Sequence, residues 1–262
     1  MPVSPEGYDE YELKNKVKGK KCVYCLTAQA QEPDHVFARE FFLPEHRDNL
    51  PWAPACGKCN RDKSYLEDYL VSVLAFGGRH EQARQYLMTT VVRRLPNNKR
   101  LGREILSSMR PAFSREPSGL FLPTVTIDFD GAKIQSFLMI AARGLAWFHW
   151  KTYIGSGFQA RALIMADLRA MAFESLVLQG HNGTRAGRDI GNGAVIYEGL
   201  QALTVPELTV WKISMYGGVA LSGGESRDGS PIETGSRWIV ITAPPETLAL
   251  LGTSSFLCKR PC

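Results

Sequence analysis

No stretch of this chain reaches about eighteen apolar residues without a charge, so an ordinary membrane span is not expected. The first residues, Met1 to Gly7, lack the basic-then-apolar order of a secretory signal. The cytoplasm is therefore the expected compartment. The sequence contains no internal repeat and no low-complexity tract. Cysteine is scarce, at 6 of 262 residues, yet four of the six fall into two Cys-x-x-Cys pairs. In a reducing compartment such pairs read as metal ligands rather than disulfides. Cys258 and Cys262 stand in the C-terminal tail and take no part in this reading. Charge of one sign is not in large excess either, since a net +5 does not by itself identify a nucleic-acid binder. With 44% hydrophobic and 22% charged residues, the composition is that of an ordinary globular protein. Its length allows one large domain or two modest ones.

What is present is concentrated near the N-terminus. Cys22/Cys25 and Cys56/Cys59 suit a tetrahedral Zn²⁺, whose thiolate ligands come from short loops that let two sulfurs converge. Between the pairs lies an Asp34-His35 dipeptide, and Asn60 follows the last cysteine at once. An aspartate, a histidine and an asparagine framed by zinc are the parts of a metal-assisted hydrolase.

The residues Cys22-Val-Tyr-Cys25, Glu32-Pro-Asp34-His35-Val36, Asn49-Leu50 and Cys56-Gly-Lys-Cys59-Asn60-Arg-Asp-Lys63 together resemble the HNH endonuclease, or ββα-metal, family. The resemblance covers residues 20–65, and order and spacing carry it more than any single piece. Two departures stand out. Val36-Phe37-Ala38 lacks the proline often seen after the Asp-His pair, and the last metal position is Asn60 rather than histidine. An amide oxygen makes that site harder, which favours Mg²⁺ or Mn²⁺.

The resemblance implies a division of labour. His35 is the general base that takes a proton from the attacking water, and Asp34 and Asn60 hold the divalent ion through oxygen. Asn49 shapes the loop and orients the histidine ring. Arg61 and Lys63 contact phosphate at the start of a helix, where free N–H groups also favour anions. Neutral imidazole suits the work of a base near pH 7. Adjacent residues on a regular strand point to opposite faces, so Asp34 and His35 are expected to flank a phosphate rather than approach one atom.

Ahead of the first pair, Lys14, Lys16, Lys18, Lys20 and Lys21 form a basic strip able to neutralise phosphates without regard to sequence. A solvated flexible arm is the plainer reading of a lysine run, and the neighbouring motif favours DNA. Other histidines read as structural: His46 in a charged loop, His80 at a helix start, His149 in the core, His181 in a turn. The aromatic cluster Trp147, Phe148, Trp150 and Tyr153 reads as core, with base stacking the alternative.

The expected fold is α+β: a zinc-stabilised ββα module, helices, and a separate C-terminal α+β domain. Residues 1–19 form an extended basic lead-in, 20–75 the HNH module, 76–118 a helical connector and 119–262 the second domain. The proline-rich stretch 111–123 marks the boundary. The expected helices cover Asn60 to Val73 or beyond, His80 to Arg94, Lys99 to Met109, Gln135 to Tyr153 and Ala160 to Gln179. The first has an inward face of Tyr65, Leu66, Tyr69, Leu70 and Val73. A hairpin is expected around Asp130-Gly131, and strands at 194–197, 208–216 and 237–242. The activity expected is metal-dependent DNA cleavage with structural Zn²⁺ and catalytic Mg²⁺ or Mn²⁺, in restriction, antiviral defence or a mobile element. A non-catalytic zinc-knuckle binding module and a subunit active only with a partner are the alternatives. A partner protein or a second copy would bind through the C-terminal domain.

Overall fold

The hairpin that carries Asp34 and His35 is short and antiparallel, with β1 (Glu32–His35) pairing β2 (Trp52–Ala55) so that Glu32 faces Ala55 and His35 faces Trp52. The computed structural model describes residues 10–78, 80–91, 93, 98–115, 120–166, 182–220 and 235–250. Before the hairpin comes α1 (Glu10–Val17), so the lead-in is helical there rather than extended. Val17 is buried and anchors it. Directly after β2, helix α2 (Gly57–Gly77) begins with Cys56 as its cap, the Cys56 sulfur accepting from Cys59 N at 3.5 Å. α3 (Glu81–Tyr86) is capped by His80, whose Nδ1 accepts from Gln82 N at 3.2 Å, and runs into a π turn at Leu87–Val91. α4 (Lys99–Ser108) starts at Asn98, a good capping residue.

Two expectations fail after this point. The Asp130-Gly131 pair is not a hairpin turn: Asp130 caps α5 (Gly131–Trp150), accepting from Ala132 N at 3.0 Å and Lys133 N at 3.3 Å. Aspartate serves either role, and the long apolar run after it decides for the helix. The strand before it, β4 (Phe121–Thr126), instead pairs backwards with β3 (Arg110–Arg115). Residues from Ala160 onward, read as a helix, form β5 (Gln159–Ala166), and 167–179 lie outside the described residues, as does His181. Eight register pairs with β10 (Gly235–Ala243) override the helix preference of Ala, Leu and Met.

β5 and β10 belong to an antiparallel sheet with β6 (Gly183–Ile190), β7 (Val195–Ala202) and β8 (Thr209–Met215), in the order β5-β10-β8-β7-β6. The short β9 (Val219–Ala220) adds to the start of β10, and α6 (Pro245–Leu250) follows the sheet. β8 alternates cleanly, burying Thr209, Trp211, Ile213 and Met215. Gly199 lies under Trp211, where a Cβ would stand 2.3 Å from the indole ring. The close approach requires glycine there.

The core joins what the sequence divides. One buried cluster runs from Val23, Val36 and Phe37 through α5 to Tyr197, Trp211 and Val240. α5 is its axis. Phe137 meets Phe37 and Phe41 on one side, with ring centroids 6.2 and 5.7 Å apart, and Trp147 meets Trp52 at 5.2 Å. Gly144 leaves a seat for Val36, since a Cβ would lie 2.8 Å from its methyl carbon. On the other side Trp150 packs on Trp211 at 4.9 Å. The boundary expected at 111–123 thus falls in the β3–β4 hairpin, and apolar packing crosses from one half to the other. Among the described residues no helix is long and apolar enough to cross a membrane.

His149 is a core histidine, as expected, with its Nε2 2.9 Å from the Tyr197 hydroxyl. Burial, then the charges of Arg188 and Lys151, lower its pKa to about 4. Between that value and the ordinary one near 6.5, the unfolded chain binds a proton that the folded chain refuses. This contribution to stability is complete above pH 6.5 and is lost as pH falls toward 4. Urea denaturation at pH 7 and pH 5 should show a smaller difference between the two for His149→Gln than for wild type. Equal differences would show that His149 titrates normally.

Candidate metal centre and active site

Four thiols converge where the two Cys-x-x-Cys turns meet. The sulfurs of Cys22, Cys25, Cys56 and Cys59 all lie within 4.8 Å of one another, and Cys25 and Cys56 are 4.0 Å apart. Sulfurs held 2.3 Å from a tetrahedral ion stand about 3.8 Å apart, so the cluster is of the right size to hold a metal. Local backbone builds it. Cys22 N donates to Ala28 O at 2.9 Å and Leu26 N to Cys22 O at 2.9 Å, closing the first turn. Cys56 and Cys59 occupy the cap and first turn of α2, with Asn60 N donating to Cys56 O at 3.0 Å.

Past the cluster, the first turns of α2 lie against β1 and create a buried ion network. Lys63 is fully buried, although it was expected to reach phosphate. Its ammonium lies 3.2 and 3.1 Å from the two Asp34 oxygens, 2.5 Å from Glu67 Oε1 and 2.7 Å from His35 O. The reason is position. Lys63 follows Cys59 by one helical turn, so it faces the hairpin and not the solvent. The phosphate role therefore does not pass to Lys63, whereas Arg61 and the neighbouring Asp62 are exposed on the outer face.

Asp34 is 6% exposed and also accepts from the Tyr24 hydroxyl at 2.5 Å. Burial raises its pKa, with Lys63 and Tyr24 pulling the other way. Burial and the Asp34 charge raise the Tyr24 phenol, which stays protonated and donates. Burial likewise pushes Glu67 up to about 7, against the attraction of Lys63. Tyr24 and Glu67 join the network without belonging to the motif that marks Asp34. The Lys63–Glu67 spacing of one turn was the available signal for Glu67, whereas nothing local marks Tyr24.

His35 ends β1. The strand turns the Asp34 side chain inward to α2, and the half-buried His35 side chain alternates from it. Its Nδ1 is buried without a hydrogen-bond partner among the described residues. Burial, then Arg39 and Lys63, lower its pKa to about 4, so the ring is neutral at pH 7. Asn49 has φ 58 and gives the loop its left-handed turn, a conformation asparagine tolerates. It does not orient the ring through Nδ1, and its carbonyl accepts from Arg188 at 3.3 Å. Asn60 is half-buried on α2, one turn before Lys63. In the basic strip Lys14, Lys18 and Lys21 are exposed and Lys16 and Lys20 half-buried.

Comparison of the chain with protein-family models, with curated proteins and with solved structures gave no match.

Two carboxylates share one ammonium in this network, so removing the ammonium leaves buried acids uncompensated. Lys63→Met should cost about 3–5 kcal/mol in urea denaturation at pH 8. A second change, Glu67→Leu, should recover part of the loss. A single variant as stable as wild type would show that the network contributes nothing net.

Proposed function

We propose that the chain is a metal-dependent DNA endonuclease of the HNH kind. The observation that carries this reading is His35, a neutral imidazole with an unbonded buried nitrogen, placed beside Asp34 on a hairpin that the four-cysteine cluster clamps to α2. A metal-binding module alone has no use for such a histidine. The thiolate donors suit zinc in a closed structural site, held by Cys22, Cys25, Cys56 and Cys59. For a second, divalent ion the residues fit in charge. Asp34 and Glu67 against Lys63 leave one net negative charge when both acids are ionised, above the Glu67 value of about 7, and Asn60 on α2 carries an amide oxygen of the kind such an ion takes. Bound there, Mg²⁺ or Mn²⁺ would neutralise charge developing on a phosphodiester.

The protein's own groups do the rest. His35 accepts the proton of an attacking water through Nε2, the ring nitrogen that burial does not seal, and its low pKa keeps that nitrogen unprotonated throughout the neutral range. The Lys63 bond to His35 O holds the end of β1 in place, and the bond to Asp34 keeps the carboxylate from swinging. Arg61 and the lysines at 14–21 draw in the phosphate backbone. A second reading rests on the same lysine. Its ammonium already contacts both Asp34 oxygens, as a tethered cation would in a module that binds nucleic acid without cutting it.

Supercoiled plasmid with Mg²⁺ or Mn²⁺ separates the two. Wild type should nick it and chelator should stop the reaction. His35→Ala should lower the rate by about 10²–10⁴ while zinc content and melting temperature stay near wild type. A folded, zinc-loaded His35→Ala protein of full activity would sink the nuclease reading, and a wild type that binds but never cuts would select the second.

Elemental analysis should find one zinc per chain. Cys56→Ser should lose it and, because the hairpin shares its core with α5, lower the melting of the whole chain in a single transition. Separate melting of the two halves, or freshly purified protein without zinc, would contradict this.

A further inference from the structure

We infer that the second half of the chain completes a duplex-DNA-binding face, with Lys151 and Arg188 carrying the basic strip across to the loop of Asn49. The inference rests on the nucleic-acid reading of the site and adds its missing half. Cations from three distant parts of the chain share two rings at the end of α5. Lys20 Nζ lies 5.8 Å from the Trp147 ring centre and Lys151 Nζ 4.4 Å from the same ring. Lys151 also lies 5.7 Å from Phe148, and the Arg188 guanidinium 4.8 Å from it. Arg188 then donates to Asn49 O at 3.3 Å. The path therefore leads from the lysine strip, over the end of α5, along β6 and into the loop between β1 and β2.

The rings orient the cations and are not platforms for bases. Trp147 is 3% exposed, and Phe148 is half-buried beneath two cationic groups. Stacking of unpaired bases needs open ring faces, whereas phosphate needs only held charge. The geometry therefore favours an intact duplex backbone over a single strand.

Simpler roles account for part of this arrangement only. β6 is an edge strand, and a charged side chain there discourages pairing with another sheet. Any charge would serve, yet Arg188 lies over Phe148 and bonds the Asn49 loop. Lys151 ends α5 at φ 57, where glycine is the usual occupant, so stopping the helix does not call for lysine. Its Nζ donates to Phe148 O at 2.8 Å, which holds the charge beside the ring.

The test is fluorescence anisotropy of a short labelled duplex against salt, with wild type and Lys151→Gln/Arg188→Gln. Two lost phosphate contacts should weaken binding to all sequences alike and make the log–log salt slope shallower by about 1.8. An unchanged affinity and slope would overturn the inference, as would a wild type that prefers the single strand or binds no duplex. Should the double variant fold poorly, the wild type itself decides: duplex should protect the Lys151 and Lys20 amines from acylation read by mass spectrometry, and their full modification overturns the proposal. Cleavage is scored separately. Duplex binding through Lys151 and Arg188 without nicking leaves this inference standing and removes the nuclease, while nicking with unchanged binding by the double variant removes only the inference.

Discussion

The rotational phase of α2 is the constraint on which the rest depends. Cys56 caps the helix and Cys59 lies in its first turn, so convergence of the sulfurs dictates which stripe faces the hairpin. Steps of three and four residues from Cys59 reach Lys63, Glu67, Leu70 and Leu74, all of them buried. One face of one helix thus serves in turn as thiol donor, ion network and apolar core. A different phase would put the ammonium in water and leave Asp34 buried without a cation, the costliest kind of buried polar group. The same phase explains why Arg61 and Tyr65 point outward, Tyr65 being 73% exposed although its place in the apolar pattern had put it inside.

The candidate site was legible in the sequence wherever chemistry depends on residue type and close spacing. Paired cysteines announce convergent thiols because a two-residue gap permits little else, and the structure brings the four together. The start of α2 at the second pair, and the strands around 195, 210 and 238, also follow from local pattern. What escaped notice depends on distant partners. Nothing near Tyr24 shows that its hydroxyl meets Asp34, and a lysine beside a motif gives no sign that it will be buried. Asp130 and the stretch after Gln159 were misread for the same reason. Capping and turn chemistry use the same residues, and a strand of Ala, Leu and Met is held by its neighbour rather than by its own preference.

Prolines at 111–123 suggest a division into two domains, yet they signal only the local direction of the chain. Packing is not local. Phe37 touches both Phe137 and Tyr197, with centroids 6.2 and 5.9 Å away, so one side chain from the hairpin region joins the helix and the sheet. The Tyr216 hydroxyl donates to Phe41 O at 2.8 Å, and Gln82 donates to Gly191 O at 2.5 Å. These bonds tie the loop between β1 and β2, and α3, to the sheet, which makes the second half part of the scaffold that holds His35 in place.

The seat that Gly144 offers Val36 bears on how such a protein can be divided or recombined. A fragment ending near residue 118 keeps the four thiols of the cluster and every charge of the ion network, yet loses α5. Val36, Phe37 and Phe41, each at most 1% exposed in the whole chain, would lose the Phe137 ring and the Gly144 seat that help cover them. Contiguous apolar surface of that kind drives association. The motif can be copied in a few dozen residues, roughly the span of a small metal-stapled domain. The cover over its apolar residues cannot, because part of it is encoded about a hundred residues further on.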